Sequence, residues 1–195
     1  MNQDAMSIHV RIAQPDELAL AADTLTAAFL DYPWTRHVIP EDDYPERLRE
    51  LQLLYVQYAQ SLGIVVVTGD CDGVIALLPP DIPGPEPHVI DRIVELHGDR
   101  ITRLDDGDPP AGAWKLETLG VRPERQGRGL ASVLLDFALD EVSRRGGQLV
   151  ALDTSDPRNV RLYERHGFRI SSHVEGADRP PVWKMTRRLS HENES

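Results

Sequence analysis

The stretch Val121–Leu139 reads VRPERQGRGLASVLLDFAL, and its first half governs the reading of everything around it. Leu130, Val133, Leu134, Phe137 and Ala138 repeat with helical period. Gly127 and Gly129 strip side chains from the approach to that helix. A helix N-terminus leaves several backbone N–H groups without partners and carries partial positive charge. With a glycine-rich approach, it forms a site suited to phosphate. Arg122, Arg125 and Arg128 reverse the local sign of an acidic chain, with 32 Asp and Glu against 21 Lys and Arg. In isolation the stretch is equally readable as a loop with solvated arginines.

The flanks place this loop in a sheet. WKLETLGV (Trp114–Val121) predicts a strand before it. After it come a helix (Leu130–Arg145), a strand (QLVALD), a short helix (Pro157–His166) and two strands (FRISSHV and VWKMTRR). Upstream, IHVRI alternates as a short strand. Leu18, Ala22, Leu25 and Phe29 form a helical stripe, and Leu48, Leu51, Tyr55, Tyr58 and Leu62 form another. GIVVV and GVIALL flank the turn TGDCDG as a hairpin. After the Pro-rich break PPDIPGPEP, a third helix carries Ile90, Ile93, Val94, His97, Ile101 and Leu104 on one face. Residues 31–45 read as a polar, aromatic loop. Together these elements predict a mixed α/β sheet, as one domain over residues 1–190 with a polar tail at 191–195.

Composition narrows the function. The chain has 195 residues and a formal net charge of −11, and its pI near 5.0 argues against general nucleic-acid binding. No apolar run approaches the roughly 18 residues of a membrane span, and MNQDAMSIHV lacks the pattern of a secretory signal. A cytoplasmic protein is expected. Cys71 is the single cysteine. The carboxylates beside it in GDCDG should raise its thiol pKa, which disfavours a nucleophile. His97 reads as a core-edge residue, and no metal site is expected.

Two phosphate motifs compete for the glycine loop. The P-loop ending Gly-Lys-Ser/Thr is absent. Gly127-x-Gly129-x-x-Ser132, with Asp153 downstream, approaches the dinucleotide fingerprint. However, Ser132 replaces the third glycine, and too little chain follows for a doubly wound sheet. Gly120 tips the balance. A glycine inside a strand marks a bulge or a close approach to the backbone. A bulge there would free N–H and C=O groups of Leu119 and Val121 for an extended, amide-bearing ligand. Amides at one end and a pyrophosphate at the other describe coenzyme A.

The segment Leu116–Phe168 resembles the GCN5-related N-acetyltransferase (GNAT) superfamily. Its Gln/Arg-x-x-Gly-x-Gly/Ala signature is matched by Gln126, Gly129 and Ala131, and its Asn, Tyr, Gly-Phe signature by NVRLYERHGF. AAFLDYPWTRH, VRPERQGRGLAS, DTSDPRNVRLYERHGF and WKMTR further resemble the puromycin-acetylating members of that family. The resemblance implies a central, mostly antiparallel, twisted sheet with a bulged strand splayed around acetyl-CoA and helices on both faces. It implies acetyl-CoA as co-substrate, held by Leu119, Val121, Arg125, Gln126, Gly127, Arg128, Gly129, Leu130, Ala131, Ser132 and Asn159. It also implies Tyr163 as general acid to a leaving thiolate, and a glutamate on the strand, here Glu117, as base. Strand alternation would put Glu117 on one face with Leu119 and Val121. A water relay ending at Asp31, His37 or a backbone carbonyl is the rival base, and a backbone N–H near Val121 would face the developing oxyanion.

At the acceptor end, Asp31, Tyr32, Trp34, Arg36 and His37 form an aromatic wall with a few polar groups, suited to a flat, nucleoside-like amine. Tyr32 and Trp34 read equally as packing residues, as do Trp114 and Trp183. The loops 81–87 and 105–113 would shape a rim. The expectation is an N-acetyltransferase acting on a small-molecule amine such as puromycin, as a monomer or homodimer. Alternatives are a protein N-terminus, an amino acid or a polyamine as acceptor, a non-catalytic coenzyme A module, or an NAD(P) enzyme.

Overall fold

A computed structural model describes residues 8–104 and 107–189. The predicted tail 191–195, and Asp105 and Asp106 of the expected rim loop, lie outside the described residues. Strands β1 (Val10–Ile12), β2 (Ile64–Thr68), β3 (Gly73–Leu78), β4 (Trp114–Val121), β5 (Leu149–Thr154), β6 (Arg169–Gly176) and β7 (Arg179–Arg188) form one sheet. Their order is β1-β2-β3-β4-β5-β7-β6. The β4–β5 pair is parallel and the other neighbours are antiparallel.

β2 and β3 are apolar along almost their whole length because both faces of the sheet are covered. Val65, Val67, Val74 and Ala76 pack under α1 (Leu18–Phe29) and the Tyr44–Leu62 helix. Ile64, Val66, Ile75 and Leu77 pack under the Leu130–Arg144 helix. Successive side chains of a strand point to opposite faces, so a central strand between two helix layers loses its polar positions.

The expected loop at residues 31–45 contains a further helix, α2 (Pro33–Val38). Pro33 at its first position sets the helical φ. The Thr35 hydroxyl donates back to the Phe29 carbonyl at 2.9 Å and accepts from Tyr44 at 2.9 Å, which ties α2 to the end of α1 and the start of α3 (Tyr44–Leu62). The third predicted helix is shorter than its apolar stripe. α4 (Pro87–His97) stops at His97, and Ile101 lies in a 3₁₀ turn. Ile90 and Val94 are 45% and 44% exposed, whereas Leu96 and His97 are buried. The face α4 buries is thus rotated from the stripe that periodicity suggested, and His97 is interior.

The break in the central strand lies away from Gly120. Ile75↔Leu119, Val74↔Gly120 and Gly73↔Val121 pair without interruption, and the register slips between Ala76↔Thr118 and Leu77↔Leu116. Glu117 is therefore the extra, bulged residue. As a result Leu116 and Leu119, three apart, both join the core beneath α5 (Leu130–Arg144). Glu117 pairs with Lys115 at 3.0 Å, and with the register slipped at Glu117 its expected common face with Leu119, which packs against the α5 core, is lost. Gly120 has a different role. A Cβ on it would lie 2.9 Å from Leu25 Cδ2 and 3.0 Å from Ala28 Cβ, so its missing side chain lets α1 press onto β4.

On its other edge β4 pairs with β5 only at Trp114↔Val150 and Lys115↔Ala151. Beyond Lys115 the two strands part. β5 continues to Thr154 and leads into α6 (Pro157–Arg165), which Asp156 caps by accepting from the Arg158 N–H at 2.8 Å.

Gly120→Ala overpacks the α1–β4 contact and should cost about 1–3 kcal/mol. The expected result is a lower denaturant midpoint with an unchanged m-value. An unchanged midpoint would remove the close-approach role.

Candidate functional site

The parting of β4 and β5 opens a cavity of about 190 Å³. Glu117, Thr118 and Leu119 of β4 line one side, Thr154 and Ser155 line another, and Asn159 and Tyr163 of α6 reach in. Phe29, Tyr32 and Trp34 close it from the α1–α2 side, and Gln52, Tyr55 and His97 from α3 and α4.

Tyr163 is buried and its ring meets Phe168 edge-on at 5.7 Å. Its position follows from the sequence: α6 is rigidly capped, and Tyr163 is one turn on from Asn159 on the same face. Burial, and secondarily the neighbouring Tyr32 phenol, push its pKa well above the ordinary phenol value of about 10. Its hydroxyl has no hydrogen-bond partner among the described residues.

Tyr32 bridges the gap. Its hydroxyl accepts the Ser155 N–H at 2.6 Å and lies 3.1 Å from Thr154 Oγ1. Asn159 Nδ2 reaches the same Thr154 oxygen at 3.4 Å. The ring stacks edge-on against Phe29 at 5.2 Å. Burial raises the Tyr32 phenol as well, so it stays protonated. This side chain from the α1–α2 corner therefore anchors the end of β5, and it forms one wall of the cavity.

The remaining predicted residues divide. Trp34 lines the cavity, with its ring 5.7 Å from that of His37. Asp31 and His37 do not line it. The Asp31 side chain is 91% exposed and pairs with Arg36 at 3.4 Å. Burial, then Arg103, lowers the His37 pKa. The loop 81–87 lines no part of the cavity. Gly107–Pro110 line a second cavity of about 220 Å³ that shares Lys115 and Asp153 with the first, so among the described residues neither loop lines the first cavity. Cys71 is buried, and burial, more than the flanking carboxylates, raises its thiol.

At the loop, Gly127 and Gly129 have φ of +74° and +83°. Gly129 is the N-cap of α5, so the helix starts from a left-handed residue with no side chain over its first turn. Gln126 Nε2 donates to the Val121 carbonyl at 3.1 Å and ties the loop to the end of β4. The crowded arginines differ. Arg125 pairs with Asp72 at 2.8 Å and Arg122 lies 3.8 Å from the same carboxylate. Arg128 is exposed at the helix tip and is the one without an ion-pair partner among the described residues. Leu130, Ala131 and Ser132 form the first turn of α5.

Sequence reasoning missed Gln52, Thr118, Thr154 and Ser155. Thr154 and Ser155 directly precede Asp156, the cap of α6, and that Ser-Asp-Pro start of a helix is a signal that could have drawn attention to them. Gln52 and Thr118 carry none, since a lone amide on a helix and a threonine on a strand are commonplace. Among the described residues, no group of three or more His, Cys, Asp or Glu is arranged to hold a metal, and no helix is long and apolar enough to cross a membrane.

The family described as "Acetyltransferase (GNAT) family" matches residues 27–168. A structure from Corynebacterium glutamicum, described as histone acetyltransferase HPA2 and related acetyltransferase, superposes with a TM-score of 0.74 at 24% identity, over 96% of this chain and 99% of that one. The PaiA N-acetyltransferase of Thermoplasma acidophilum, in complex with coenzyme A, superposes with a TM-score of 0.61 at 15% identity, over 94% and 100%. At these identities the likeness is one of fold. A mycothiol acetyltransferase of Beutenbergia cavernae is 39% identical over 77 residues, 33% of this chain and 26% of that protein. The chain thus spans about a quarter of that relative's length.

Tyr32→Phe leaves the buried Ser155 N–H without its acceptor, which should cost about 1–3 kcal/mol. The expected result is a lower melting temperature with faster amide exchange at Ser155. Unchanged exchange there would mean that Tyr32 does not anchor β5.

Proposed function

The chain belongs to the acetyltransferase (GNAT) family, and from that premise we propose that it moves the acetyl group of acetyl-CoA onto a primary amine of a small molecule. The residues fit such a donor. β4 has an edge without a strand partner beyond Lys115, next to a helix tip that starts at an uncapped glycine. An amide-bearing arm would pair with the Leu119 and Val121 backbone. A pyrophosphate would meet the N–H groups of Gly127 to Ser132, with Arg128 at hand. Arg125 would have to share its charge with Asp72. Asn159 would contact the arm from α6.

When bound, acetyl-CoA supplies an activated acyl group and a sulfur that leaves as a thiol. The observation that carries the reading is Tyr163, which lines the cavity between the parted strands and whose hydroxyl has no hydrogen-bond partner among the described residues. Its raised pKa keeps the proton on Oη at neutral pH, so it can donate. A sulfur in the same low-dielectric space gains basicity too, which lets the proton pass. A backbone N–H near Val121 would face the developing oxyanion.

The base is proposed to be Glu117 or a water held by it. It lines the cavity, although Lys115 shares its charge at 3.0 Å. Asp31 and His37 lie outside the cavity and are poorer ends for a relay. Positioning of the amine is itself worth several powers of ten.

The resemblance of AAFLDYPWTRH and WKMTR to puromycin-acetylating proteins supports an aminonucleoside as the first acceptor to try. A cavity of about 150 Å³ holds one benzene, so one of about 190 Å³ encloses a substituted ring, and a nucleoside would remain partly outside.

Thiol release from acetyl-CoA with puromycin and a panel of primary amines tests the reaction. Tyr163→Phe should lower kcat by about 10²–10⁴-fold, with the KM for acetyl-CoA within about twofold. A variant that folds and turns over normally would remove Tyr163 from the acid role.

A further inference from the structure

Part of the cavity lining has a chemistry that proton transfer does not use. Gln52 on α3 and Thr118 on β4 are 6% and 8% exposed. Gln52 Oε1 and Thr118 Oγ1 are buried without a hydrogen-bond partner among the described residues, and both residues line the same cavity. Buried polar groups are nearly always paired, so two orphans facing one space point to a partner that arrives with a ligand.

The walls define that ligand. Leu48, Leu51, Val38 and Ile39 supply apolar surface to the same cavity. His97 lies with Nδ1 at 2.8 Å from the Val38 carbonyl, which places a proton on Nδ1, and its Nε2 lies 3.4 Å from the Tyr55 hydroxyl. The charged residues lining the cavity are Lys115, Glu117 and Asp153, all on the sheet side. Lys115 and Glu117 pair with each other at 3.0 Å, and Asp153 lies 3.9 Å from Lys184. A charged head group between Gln52 and Thr118 would meet carboxylate and ammonium groups already paired with each other, and its desolvation would be costly.

We propose that Gln52 and Thr118 are specificity residues that read the far end of the acceptor. Resting on the acetyltransferase reading, this narrows the acceptor to a primary amine with a compact apolar body and an uncharged head that donates and accepts hydrogen bonds, such as a phenol or a primary carboxamide. The Gln52 amide can accept from such a head as well as donate to it, and the Thr118 hydroxyl rotates to either role. An acceptor lacking the head leaves both groups unpaired, which is the stronger form of discrimination.

The test compares matched amines with acetyl-CoA: tyramine against phenethylamine, and 5-aminopentanamide against hexylamine. In the parent protein at least one polar member should exceed its apolar partner by about tenfold or more in kcat/KM. Gln52→Leu and Thr118→Val, which keep the volume, should bring that ratio toward one and leave the KM for acetyl-CoA unchanged. Without ligand, both variants should melt at or above the parent temperature, because they remove an unpaired buried group. Equal rates within both pairs, a ratio that survives both substitutions, or clearly lower melting temperatures would overturn the proposal. If the parent releases thiol with none of the amines, the acetyltransferase reading fails separately. Melting shifts with the same four amines then judge the pocket. A shift by a polar member that Gln52→Leu abolishes upholds it, and no shift by any of them overturns it.

Discussion

The site depends on where two parallel strands stop pairing. β4 and β5 share two residue pairs, at Trp114 and Lys115, and then diverge. An unpaired strand edge in the middle of a sheet would ordinarily be costly, since backbone N–H and C=O groups need partners. Here the divergence is held open by well-paired strands on either side. β4 is secured along its length by β3, and β5 along all six residues by β7. The gap is a property of a rigid sheet rather than of a loose one.

Three local devices shape that gap. The bulge at Glu117 rotates the strand, so that Leu116 and Leu119 serve the core beneath α5 while Thr118 and Gly120 turn to the α1 and α3 layer. The bare Gly120 brings α1 close enough for Phe29 to reach the cavity. Tyr32 then crosses from the end of α1 to the backbone of Ser155, fastening the helix layer to the far strand. The cavity is walled by elements distant in sequence that meet because each packing step is tight.

The strands, the helices and their order were legible because burial imposes period 3.6 on α1, α3 and α5, and because β2 and β3, covered on both faces, are short continuous apolar runs bounded by turn residues. The glycine loop and α6 were legible for a different reason: their residues are dictated by backbone conformation and capping, as with Gly129 at φ +83° and Asp156 as cap. The bulge was misplaced at Gly120 because a bulge is a fact about pairing, and Glu117 carries no side-chain signature of one. α2 was hidden by the polar, Pro-containing segment that forms it. The orientation of α4 was misread in part: the fold half-buries Ile93 and buries His97 of the apolar stripe and leaves its Ile90 and Val94 exposed. Gln52 and Thr118 were invisible, since what sets them apart is a missing partner, which only the surrounding atoms define.

The central claim is that the edge of β4 freed beyond Lys115, together with the N-terminus of α5, holds the acyl carrier. Amide hydrogen exchange measured with and without coenzyme A tests it most directly. The account predicts slower exchange in two segments at once, within Leu116–Val121 and within Gly127–Ser132. Slowing elsewhere with both segments unchanged would contradict it.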